Sequence, residues 1–281
     1  TEELPAGFVA PALSDLQKLL GDELTQARIG FGAVETYGTP RRLVIGVRDV
    51  ASMQERQELE ITGPPARIGF DEAGRPTAAA EGFARTNAVA VSDLERIETP
   101  KGEYLLIRKV VEGGSTLEQL PDILTRVISR IPFRKSMRWK DLEVRFARPM
   151  HWIVALFDGQ VVPVTFGDLH SGNLSRGHRF LASGTFEVPG IDAYLDAAEA
   201  HHVIVDIPRR RGLIASQVEQ LAAEVGGRVN PDEQLLDEVT FLVEEPQALI
   251  GNIEKNFLQL PQELLITSMR EHQRYFTVID D

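Results

Sequence analysis

The chain contains no cysteine in 281 residues. That excludes a disulfide framework, a thiolate metal site and a cysteine nucleophile. No apolar run approaches the ~18 residues a membrane span requires. Glycine (23) and proline (16) occur at ordinary frequency, so the chain is neither collagen-like nor low-complexity. Aromatics are sparse at 7%. Lys and Arg (30) fall well short of Asp and Glu (42), for a net charge of −12. No basic segment followed by an apolar stretch opens the chain, so nothing reads as a secretory signal. The lack of cysteine and of a signal together favour the cytoplasm, and nothing points to a membrane. With 43% hydrophobic and 26% charged residues the composition is that of a globular protein with a sizeable core.

An anionic protein should repel nucleic acid, yet the charge is unevenly spread. Arg126, Arg130, Arg134, Lys135, Arg138, Lys140, Arg145 and Arg148 fall in one segment, opposed only by Asp141 and Glu143. That segment carries +6, so the remainder carries −18 where the whole carries −12. Such segregation is what steering a polyanion requires.

Hydrophobic spacing and turn chemistry predict the elements. Phe8, Val9, Leu13, Leu16, Leu19 and Leu20 recur at helical intervals, predicting a helix from Pro5 to Leu24. Residues 33–37 and 42–47 are β-rich runs about a Gly38–Arg41 turn. A strand over 57–65 ends at Pro64-Pro65. Thr77 should cap a helix over 78–87, with Glu81 returning the bond as in a capping box. A strand over 103–111 and a helix from Ser115-Thr116 to about Ile131 follow, the latter stopped by Pro132. Short strands are expected at 144–146, 153–157 and 161–166, the last two joined by Asp158-Gly159. Beyond Ser183-Gly184 the pattern turns helical. Helices are expected at 191–200, 209–225, 231–243 and 261–269, with an apolar strand at 203–205. The fold class is therefore α+β: a mixed or antiparallel sheet with packed helices over 1–182, then a helix-rich lobe over 183–281.

Chemistry-bearing motifs are few. There is no P-loop and no GxGxxG after a strand. Gly113-Gly114-Ser115-Thr116 is accounted for by helix capping. None of the six histidines forms HExxH. Asp168, His170 and His178 lie around a glycine-containing loop, an unspecific metal spacing. Glu244-Glu245-Pro246 reads as a solvated helix end, and no serine sits in a nucleophile elbow.

The polyanion signal is richer. On a continuous helix Arg126, Arg130 and Arg134 would share one face. Phe133 to Lys140 then interleaves aromatics with cations, suiting phosphates and stacked bases. The competing account puts Phe133 and Trp139 in the core and leaves the cations solvated or paired. Arg176, His178 and Arg179 surround Gly177. Arg209, Arg210 and Arg211 occupy the first turn of a helix, opposing its dipole unless an anion or nearby carboxylates relieve it. The phosphate-contact candidates are thus Arg134, Lys135, Arg138, Lys140, Arg176, Arg179, Arg209, Arg210 and Arg211, with Arg41 and Arg42 behind them. Trp139 is the candidate stacking residue.

Several segments, in order, carry a family resemblance. They include Thr1-Glu2-Glu3-Leu4-Pro5, Thr39-Pro40-Arg41-Arg42-Leu43, Gly63-Pro64-Pro65, Ala79-Ala80-Glu81-Gly82-Phe83-Ala84 and Lys135-Ser136-Met137-Arg138-Trp139. Phe146-Ala147-Arg148-Pro149-Met150-His151-Trp152, Arg176-Gly177-His178-Arg179-Phe180, Leu235-Leu236-Asp237-Glu238-Val239 and the run from Leu265 to Phe276 continue the series. Together they resemble the β subunit of bacterial heterotetrameric glycyl-tRNA synthetase. The resemblance implies an N-terminal fragment, lacking a first strand and the C-terminal HD-type and anticodon-binding domains. It implies partners: tRNA(Gly), an α subunit and a second β subunit in an α2β2 assembly. It also implies no cofactor and no catalytic or metal site in this piece, since ATP and magnesium serve the α subunit. The implied role is to bind tRNA and dock other subunits. A purely structural, subunit-interface role is the alternative.

Overall fold

A computed structural model describes residues 1–71 and 73–280 of the chain. Its helices are α1 (Ala6–Gln26), α2 (Ala66–Gly69), α3 (Ala78–Thr86), α4 (Thr116–Arg130), α5 (Ile191–Ala200), α6 (Ile207–Glu224), α7 (Glu233–Thr240) and α8 (Gln262–Ser268). The longer strands are β1 (Val34–Thr39), β2 (Arg42–Val47), β3 (Gln57–Pro65), β4 (Glu95–Thr99) and β5 (Gly102–Val111). The architecture is α+β, with small and mostly antiparallel sheets.

The chain divides into two compact units, Ala51–Thr116 and the remainder, Thr1–Val50 with Leu117–Asp281. The boundary expected at 182/183 falls inside the larger unit. In the smaller unit the incoming and outgoing strands lie side by side. Met53 bridges Ser115, and Thr116 donates its N–H to Ser52 and its hydroxyl to the Ala51 carbonyl. A segment whose ends meet this way forms its own sheet, ordered β3-β5-β4, antiparallel, with Ile61 opposite Ile107 and Ile97 opposite Tyr104. Leu105, Ala66 and Ala80 form its small core with Phe70, Phe83 and Leu94. Thr77 caps α3 through the Ala79 N–H. The reciprocal Glu81 bond is absent, because the Thr77 N–H donates to the Gly69 carbonyl instead.

In the larger unit α1 buries Val9, Leu13, Leu16, Leu20 and Leu24 on one stripe. These meet Leu120, Ile123 and Val127 of α4, with Phe146, Val162 and Val164. The β1–β2 hairpin lies over α1, and Gly38 makes the approach possible. A Cβ there would stand 2.9 Å from Leu13 and 3.1 Å from Val9. Leu156–Phe157 and Gln160–Val161 pair across Asp158 and Gly159, whose φ of 48° and 74° suit a type I′ turn. A second core joins Phe186, Val188, Tyr194, Ala198, Val203 and Val205. Two expected strands are not ladders. Residues 144–146 contribute only a bridge between Phe146 and Met137. Residues 203–205 are buried and extended, the Ile204 N–H donating to Glu244 and the Val205 carbonyl accepting from Gly38.

Candidate nucleic-acid interface

The basic segment splits into a helical part and a loop with different fates. Arg126 and Arg130 do share a face of α4, but α1 supplies their counter-ion. The buried carboxylate of Glu23 accepts from Arg126 Nε and Arg130 Nη1, each at 2.8 Å. These two cations clamp α4 to α1. Arg134 lies beyond the end of α4 and does not join that face.

The loop that follows is anchored by its aromatics. Phe133 meets Phe146 edge-on, ring centres 4.7 Å apart, and half-buried Trp139 leans on Phe166 at 6.5 Å. Met137 and Phe146 exchange backbone hydrogen bonds of 2.8 and 3.2 Å, holding the two arms of the loop together. The candidate stacking residue, Trp139, therefore belongs to the core's edge. The cations point outward and are not equivalent. Arg138 faces Glu143 at 3.3 Å, and Lys140 pairs with Asp168, holding that carboxyl below its usual range. Arg134 and Lys135 are exposed and have no hydrogen-bond or ion-pair partner among the described residues. Arg145 donates to the Ser136 hydroxyl and carbonyl, and Arg148 to the Ala147 carbonyl. Neither meets a carboxylate among the described residues. Lys135 and Arg148 line one open groove of about 590 Å³, along with Met137, Pro149, Glu2 and Glu3.

A second group of cations surrounds Trp152. The guanidinium carbons of Arg42, Arg176 and Arg41 lie 5.4, 5.3 and 6.0 Å from its ring centre. Arg42 is buried, donating to Glu244 at 3.0 Å and to the Arg176 carbonyl at 2.8 Å. Glu244 is 5% exposed and also accepts from the Thr39 hydroxyl at 2.6 Å. The expectation of a solvated helix end is overturned for this residue. Arg42 and Thr39 together partner this buried carboxylate, as a carboxylate inside the fold must be compensated. Arg41 is 8% exposed, and burial pushes its guanidinium below the usual value. Arg179 is engaged by Glu3 at 3.0 Å and Glu2 at 3.2 Å. Glu2 also meets His151 at 2.7 Å; that hydrogen bond, with Arg179, lowers its pKa. Arg176 is exposed and faces no carboxylate among the described residues.

The arginine triplet opening α6 is a structural device. Asp206 caps the helix through the Arg209 N–H at 2.8 Å, and Glu199 pairs with the Arg209 side chain. Arg211 is held by Asp237 at 2.8 Å and by Glu233, which raise its pKa. Arg210 is 0% exposed. It donates to the carbonyls of Thr240 and Gly38, each at 2.9 Å, and to that of Ile204. Burial pushes its pKa down to about 10. Arg41, Arg42 and Arg210 are thus withdrawn from solvent, contrary to their candidacy as phosphate contacts, and Arg179, Arg209 and Arg211 are neutralised by neighbours.

Among the described residues no three His, Asp or Glu groups are placed to hold a metal. His178 accepts the Phe180 and Leu181 N–H groups at Nδ1, which shapes a turn. Among the basic segment and the candidate contacts, Arg134, Lys135, Arg145, Arg148 and Arg176 remain at least partly exposed and without a carboxylate partner among the described residues. Arg145 and Arg148 were part of the basic segment but not among the chosen contacts. Their signal was the lack of acids after Glu143.

These features meet a clear set of relatives. The chain is 60% identical over 281 residues to the glycine–tRNA ligase beta subunit of Syntrophotalea carbinolica, matching all of this chain and 41% of that protein. It is 53% identical to the namesake of Trichlorobacter lovleyi and 51% to that of Geotalea daltonii, again across 41% of each. The chain is thus similar throughout to subunits of an aminoacyl-tRNA synthetase, and it spans about two fifths of their length. A family model for the glycyl-tRNA synthetase beta subunit matches residues 1–281, and the chain belongs to that family.

Proposed function

We propose that the loop from Arg134 to Arg148 binds the phosphate backbone of tRNA(Gly), within a cytoplasmic β subunit that supports ATP-dependent attachment of glycine at an α-subunit active site. One observation carries this reading. Four loop cations, Arg134, Lys135, Arg145 and Arg148, lack any carboxylate partner among the described residues of a chain rich in acids. Cations gathered in one loop without carboxylate partners are poised for a polyanion. RNA helices present backbone and 2′-hydroxyls more readably than base edges, so the contact is one of shape and charge. Filter binding of tRNA tests it. Replacing the four cations by alanine should weaken affinity strongly at low salt and flatten its salt dependence, whereas R209A/R211A should leave both unchanged.

The alternative, an interface module with tRNA held elsewhere, draws on the neutralised Arg138, Arg179, Arg209 and Arg211. Full tRNA affinity in the fourfold variant would favour it.

A further inference from the structure

The least compensated charge around Trp152 belongs to Arg41. Its side chain makes no hydrogen bond to any described residue, and its Nε is sealed from solvent without an acceptor. The Nη2 of neighbouring Arg42 is in the same condition. Buried donors are almost always paired, so Arg41 is an incompletely satisfied group at this site. Arg41 forms one wall of a pocket of about 180 Å³. That is smaller than the ~300–1,000 Å³ typical of small-molecule sites and suits a single side chain. Glu3, Glu244 and Glu245 line it as well, already engaged by Arg179, Arg42 and His202. A phosphodiester strand would bring repeated negative charge against these carboxylates. A lone planar carboxylate brings one charge, in the two-pronged geometry a guanidinium favours. Two exposed apolar side chains also line the pocket. Phe180 is 81% exposed and Leu242 is also exposed. The turn fixed by His178 holds Phe180 outward, with Arg179 5.8 Å from its ring. A desolvated arginine beside exposed Phe and Leu side chains matches the composition of a protein–protein hot spot.

We propose that this pocket is a docking socket for the synthetase α subunit, in which an Asp or Glu side chain pairs with Arg41 while apolar residues beside it cover Phe180 and Leu242. The choice of partner rests on the family reading above; the acidic and apolar chemistry rests on the pocket. Titration calorimetry of the β chain with purified α subunit tests it. The rim variant F180S/L242S should weaken association about 30-fold, the hot-spot scale, with an unchanged melting curve. Arg41→Gln should do the same, and Arg41→Lys should fall between it and wild type. The rim variant should keep wild-type tRNA affinity over a salt series, which separates the socket from the loop. The proposal is overturned if the rim variant binds α as tightly as wild type. It is equally overturned if wild type does not bind α, or if the rim variant loses tRNA instead.

Discussion

Glu244→Ala is the sharpest test of how the larger unit is held together. Glu244 joins the segment after α7 to the β1–β2 turn, some 200 residues away in sequence, through Thr39 and Arg42. Both partners are buried, so alanine leaves a buried guanidinium without its carboxylate and a hydroxyl without its acceptor. Removing one partner of a buried pair costs about 3–5 kcal/mol. For a unit of this size, 1 kcal/mol corresponds to roughly 2–4 °C, so the melting temperature should fall by about 6–20 °C. Glu245→Ala is the internal control. It loses only a surface contact to His202, which costs within about 1 kcal/mol. Scanning calorimetry and urea titration of both variants decide the matter. A loss below about 1 kcal/mol for Glu244→Ala would refute the claim that this carboxylate is the counter-ion of the arginine cluster.

Two further outcomes follow from the same bookkeeping of charges. Replacing Arg126 and Arg130 by alanine should lower stability by about 1–3 kcal/mol by stranding Glu23, while leaving tRNA affinity at low salt intact. Asp232 caps α7 and is hydrogen-bonded by Arg270, which holds its pKa below the ordinary 3.8. A depressed pKa gives stability that is present above the unfolded value and is lost as pH falls through the folded one. Asp232→Asn should therefore flatten the acid side of a stability-versus-pH curve below about pH 4, measured by urea titration.

Much of the local structure was legible in residue pattern. The Leu13–Leu16–Leu20–Leu24 stripe, the Thr77 cap and the Asp158-Gly159 turn are each decided by neighbours within a few positions. What pattern did not reveal was pairing at long range. Nothing near Arg126 or Arg130 announces Glu23, some hundred residues upstream, so a helical basic stripe was indistinguishable from a polyanion surface. The arginine triplet misled for a different reason. Consecutive helical residues point about 100° apart, so three arginines cannot share one environment. Arg210 lies four positions before buried Ile214, on the inward face, and that spacing was the available signal. Glu244 gave none, because its partners come from the distant β1–β2 hairpin. The unit at 51–116 was hidden too, since its closure depends on residues 52, 53, 115 and 116 meeting in space.

The salt dependence of tRNA binding tests the central claim most directly. Each phosphate contact contributes roughly 0.7–0.9 to the slope of log affinity against log salt concentration. If Arg134, Lys135, Arg145 and Arg148 each hold a phosphate, replacing all four should flatten the slope by about 3. An unchanged slope in a folded fourfold variant would mean that these cations, although free of carboxylates, are not where RNA binds.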